Sequence, residues 1–125
     1  MAIPDALLAA WIWRLAAIPG IAMDPDAVVD DIALMVYAFP EQAEVARAML
    51  QVEHALTLLV QQRQLGQALR GNLAGWRSYR FQSHRARRHP ADLRIVYQDT
   101  DSAIRVRSFG HRWIPNTVYR RLYDR

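Results

Sequence analysis

The chemistry this sequence offers lies in arginines set among aromatic residues. Arg80, Arg94, Arg105 and Arg107 alternate with Tyr79, Phe81, Tyr97 and Phe109 on short segments of period two. A guanidinium presents a rigid fork of N–H donors that grips phosphate oxygens in pairs and stacks on flat rings. Strands with Arg on one face and apolar residues on the other form a fixed surface for phosphate groups. The competing explanation is plain: edge strands also carry Arg for solubility.

Other site chemistries find little to work with. The chain has no Cys, which removes disulfides, thiolate nucleophiles and Cys-based zinc sites. His54, His84, His89 and His111 are its only histidines, and none sits at a helical ligand spacing with another. No HExxH or EF-hand pattern occurs, so no metal is expected. There is no GxSxG elbow, no Walker A loop and no GxGxxG turn, so no cofactor is expected either.

Charge is distributed unevenly along the 125 residues, which carry a net +4. All 16 basic residues are Arg. Residues 1–62 hold Arg14 and Arg47 against eight acidic side chains, whereas residues 63–125 hold fourteen Arg against four. Such asymmetry points to a polyanion on the C-terminal half. The run Ala6 to Ile18 is broken by Arg14 and falls short of the ~20 residues of a spanning helix. It also lacks a cationic leader. A cytoplasmic location is the expectation.

These residues need elements to position them. Residues 1–125 read as one α+β domain. The first segment is ambiguous: Leu7, Leu8, Trp11, Ile12, Leu15 and Ile18 recur at helical spacing, while Trp11, Trp13, Leu15 and Ala17 alternate as in a strand. Asp24-Pro25-Asp26 then predicts a helix start. Val28, Ile32, Met35, Val36 and Phe39 form its apolar stripe. Pro40 breaks that helix and starts another, with a stripe of Val45, Met49, Val52, Leu56, Leu59 and Val60. The pair predicts an αα-hairpin. From Trp76 the period becomes two, and Asp99-Thr100-Asp101-Ser102 supplies a hairpin turn. The polar run His84 to His89 reads as a loop between strands, and Ile114 to Tyr123 as a short closing helix.

Three of these pieces, in this order, carry a resemblance. The run Leu69-Arg70-Gly71-Asn72-Leu73-Ala74-Gly75-Trp76-Arg77-Ser78-Tyr79-Arg80-Phe81 resembles the helix-to-strand junction of the RelE/ParE toxin superfamily. Leu93-Arg94-Ile95-Val96-Tyr97 resembles its "YRIVY" strand. Phe109-Gly110-His111-Arg112, followed by Val118-Tyr119-Arg120-Arg121-Leu122, resembles its C-terminal motif. The resemblance spans roughly residues 11 to 122. It implies a RelE-like fold: an N-terminal strand over Trp11–Ile18 after a leader of residues 1–10, an αα-hairpin, a small antiparallel sheet and a short C-terminal helix.

The function implied is that of a toxin in a toxin–antitoxin pair, silenced by a cognate antitoxin. RelE-like members are ribosome-associated mRNA endoribonucleases in which a 2′-hydroxyl attacks the adjacent phosphate. ParE-like members poison DNA gyrase instead, and a RelE-like fold kept as an inactive binding module is a third reading. The resemblance places catalysis at Arg94, Arg112 and Tyr119, with Arg80 beside them and His111 as a further candidate. Arg94 would clamp the phosphate, Arg112 would neutralise the leaving 5′-oxygen, and Tyr119 would take the 2′-hydroxyl proton. Arg77, Arg85, Arg87, Arg88, Arg105 and Arg107 are expected to hold RNA backbone. The sequence departs from the family at Gln82, where a second basic residue often stands, and in its long loop Ser83–Asp92.

Overall fold

The computed structural model describes residues 4–114, and the closing helix expected over Ile114 to Tyr123 lies almost wholly outside them. The first element is a helix, α1 (Asp5–Ala16). This corrects the strand expected over Trp11–Ile18, and residues 5–10, expected to be a leader, are the first part of the same helix. One side chain decides between the two periods. A strand would bury Trp13 beside Trp11 and Leu15; instead Trp11 and Leu15 are buried one turn apart while Trp13 is 78% exposed. Arg14, which breaks the apolar run, ties the helix down by an ion pair to Glu53 at 2.7 Å and lies 4.8 Å above the Trp11 ring.

Pro19-Gly20 turns the chain into a short strand, β1 (Ile21–Met23). Gly20 has φ +84, and a Cβ there would meet Val60 at 3.1 Å, so glycine suits both the turn and the packing. Helix α2 (Pro25–Ala38) starts as expected, with Asp24 Oδ1 accepting from the Asp26 N–H at 3.0 Å. Helix α3 (Gln42–Gln61) follows after Pro40. Of the expected stripes, Val28, Ile32, Met35 and Phe39, then Val45, Met49, Val52, Leu56 and Leu59 are buried, while Val36 and Val60 are half-buried at the edge of the core; Ala48 and Ala55 join the buried set.

Strands β2 (Gln67–Ala68), β3 (Arg77–Phe81), β4 (Leu93–Asp99) and β5 (Ile104–His111) complete a five-stranded sheet ordered β1-β5-β4-β3-β2. The pairings from β5 to β2 are antiparallel, and β1 adds to β5 in parallel, so the sheet is mixed rather than purely antiparallel. The turn after β4 is closed by Thr100, whose Oγ1 accepts from the Ala103 N–H at 3.0 Å. One sheet face packs on the helices through Leu93, Ile95, Tyr97, Ile104, Val106 and Phe109. β1 reaches only to Val106; further along β5, buried Asp31 of α2 accepts the Phe109 N–H at 3.0 Å. No helix among the described residues is long and apolar enough to cross a membrane.

Candidate functional site

The opposite sheet face is built by the same alternation that makes the core. With Tyr79 and Phe81 turned towards the helices, Ser78 and Arg80 project from the other side; with Leu93, Ile95 and Tyr97 in the core, Arg94 and Val96 do the same. Strand register then sets the neighbours. Arg80 stands opposite Arg94, and Arg94 opposite Gly110; Ser78 stands opposite Val96, and Val96 opposite Ser108. Val96 is fully buried on this face beneath Leu69, Leu73 and Trp76, which close one end of it. The other end carries the two arginines. Like charges directly opposed across a sheet repel. Arg80 is exposed and makes no ion pair with any described residue. The register thus sets two basic positions side by side on adjacent strands.

A second basic cluster lies at the covered end. Arg105 and Arg107 approach the Trp76 ring at 5.6 and 5.0 Å. They border a hollow of about 500 Å3 that also holds Asp24, Asp26 and Asp30 from the start of α2. Carboxylates here answer part of the positive charge, which sets this cluster apart from Arg80 and Arg94. A bulge after Val96 places Tyr97 opposite Val106 and leaves Arg107 as the extra residue.

The remaining expected residues are dispersed. Arg77 lies on the helix-side parity of β3 and donates to Gly66 O at 2.8 Å and Gln64 O at 3.3 Å, fastening the chain before β2. Arg85, Arg87 and Arg88 are exposed on the long loop, with Arg88 in the left-handed region at φ 68. Arg112 follows β5 on the outer-face parity; its N–H donates to Asp92 O at 2.8 Å and its Nη1 to Ala91 O at 3.0 Å. Tyr119 lies outside the described residues.

His111 belongs to the helix side, opposite Leu93. Its ring packs on Phe39 and Trp113 at 5.7 Å. Its Nδ1 accepts from the Trp113 and Ile114 N–H groups, each at 3.1 Å. Burial pushes its pKa below the ordinary 6.5, against a weaker upward pull from Asp92. The structure therefore separates His111 from Arg94 and gives it the task of capping the end of β5.

Sequence reasoning missed how the long loop is held. Asp92 is buried and accepts Ser83 Oγ at 2.6 Å, the Ser83 N–H at 2.8 Å and His89 Nε2 at 3.3 Å. Burial alone would raise this carboxyl, but the bonds from Ser83 and His89 outweigh it and hold it below its ordinary 3.8. The Gln82 amide donates to the carbonyls of Ala86 and His89. Gln82, which looked like a missing charge, thus serves as a loop brace. The pairing of Ser83 with Asp92 has no local sequence signal, because it joins loop ends nine residues apart. Among the described residues, no group of three His, Asp or Glu could hold a metal ion.

No family model, curated protein or solved structure matches this chain.

Proposed function

We propose that the chain is a toxin of the RelE type that binds single-stranded mRNA on the ribosome and cleaves it by 2′-hydroxyl attack on the adjacent phosphate. The observation that carries the reading is the direct opposition of Arg80 and Arg94 on the outer sheet face. Two arginines on adjacent strands would grip the non-bridging oxygens of one phosphodiester and stabilise the charge that develops on them. Gly110, without a side chain, leaves the β5 side of Arg94 clear of bulk. Arg112 would neutralise the departing 5′-oxygen, by electrostatics rather than proton donation, since a guanidinium keeps its proton. Tyr119 would be the base. Tyr119→Phe should then cut cleavage by ~10²–10⁴-fold while RNA binding persists. The natural partner would be an antitoxin with an acidic segment that covers the basic face.

A binding module without cleavage is the second reading. It is favoured by the structural engagement of His111 and Arg112, which are both occupied in holding the end of β5 and the loop. Induction of the protein in cells separates the readings. Growth arrest with fragmented mRNA and intact DNA supports the nuclease, DNA breakage supports a gyrase poison, and unimpaired growth supports the inactive module.

A further inference from the structure

β2 pairs with β3 only at Arg77 and Ser78, which leaves Tyr79 to Phe81 as an open sheet edge. A cleft of about 460 Å3 runs between this edge, α3 and the long loop. Gln51, His54 and Leu58 of α3 form one wall. Tyr79 and Phe81 line the other, with ring centroids 5.7 Å apart and planes within 12° of parallel. Arg80, Arg85 and His89 are among the other lining residues, and the lining contains no carboxylate among the described residues. An aromatic wall, with Arg85 on the loop side and Arg80 at the strand edge, matches a flat ring joined to an anion. The volume is that of a small-ligand site.

We infer that this cleft binds one nucleotide of a single-stranded RNA, with the base against Tyr79 and Phe81 and the phosphate between Arg80 and Arg85. The inference rests on the RNA-binding reading above and extends it. Arg80 belongs both to the outer face, opposite Arg94, and to the cleft. A strand held at Arg94 therefore passes over the β3 edge at Arg80, and its neighbouring nucleotide enters the cleft. Aromatic walls take unstacked bases with little sequence preference, and Arg supplies the salt-sensitive part of the binding.

The test is fluorescence anisotropy of the full chain with a labelled oligouridylate about six nucleotides long, at several salt concentrations. Phe81→Leu keeps apolar packing but removes a ring, and should weaken binding about tenfold. His54→Glu with Arg85→Glu changes two exposed positions and should weaken it at least as much, flattening the salt slope by about 0.7 for each phosphate no longer held. Arg47→Glu with Thr57→Glu, both exposed on α3 outside the cleft, makes the same change in net charge and should bind as the parent does. If the cleft variants bind like the parent while Arg94→Ala binds weakly, the cleft inference fails and the outer-face reading stands. If the parent binds no RNA, both fail. Adenosine 5′-monophosphate competing as well as the oligomer would overturn continuity with the outer face.

Discussion

At the residue scale the account turns on where alternation sends each arginine. Arg80 and Arg94 share the outer face, Arg77 does not, and Arg105 and Arg107 share Trp76 with nearby carboxylates. Arg94→Ala should therefore weaken RNA binding and reduce the salt slope by about 0.7, whereas Arg77→Ala should act on stability and leave the slope alone. Titrations of both variants over a salt series check this. His111 gives a separate pH prediction. Its folded pKa lies below the ordinary 6.5, so in the window between those values the unfolded chain binds more protons than the folded one. Stability should rise with pH across that window and level off above it. Asp92, held below 3.8, adds stability above that value that is lost as pH falls through its folded pKa, outside the His111 window. Denaturation of the parent and of His111→Gln at about pH 5 and about pH 7.5 should show a smaller pH difference in the variant. An equal difference would show that His111 does not titrate with unfolding.

At the element scale, the helical hairpin and the three long strands were legible because their apolar residues repeat at clean periods. The stripes Val28-Ile32-Met35 and Val45-Met49-Val52-Leu56 are buried as their spacing predicts. The first segment was not legible by pattern alone, because its apolar residues satisfy both periods. The resemblance pointed to a strand, but packing against α2 and α3 selects the helix and leaves Trp13 outside. β1 is three residues long and exists by pairing with β5, a long-range cause with no local signature. The approach to β2 depends on one phenol. Tyr97 OH donates to Arg63 O at 2.8 Å and accepts the Gly66 N–H at 2.9 Å, while a Cβ at Gly66 would strike that ring at 2.8 Å. Burial raises the Tyr97 pKa, so the phenol stays protonated and able to donate. Tyr97→Phe leaves both backbone groups without this partner and should cost about 1–3 kcal/mol in chemical denaturation. A smaller cost would mean that water replaces the hydroxyl.

At the scale of the whole molecule, and among the described residues, the acidic first half folds mainly into helices and the basic second half supplies strands β2 to β5, so charge asymmetry along the chain becomes asymmetry between layers. That much of the candidate site could be read from the sequence. The loop brace at Ser83 and Asp92, the cleft beside α3 and the diversion of His111 to the helix side could not, since each depends on contacts between distant segments. Replacing Arg85, Arg87 and Arg88 together by Ala should lower the salt slope of RNA binding by about two units with the fold intact. An unchanged slope would mark the loop as solvated surface. The central claim is that the Arg80–Arg94 face serves phosphodiester cleavage, and its most direct measurement is incubation of ribosome-bound mRNA with the parent and with Arg94→Ala, followed by analysis of product ends. The account predicts cuts bearing 2′,3′-cyclic phosphates for the parent and a rate lower by ~10²–10³-fold for the variant. Absence of cleavage by the parent, or undiminished cleavage by Arg94→Ala, would contradict it.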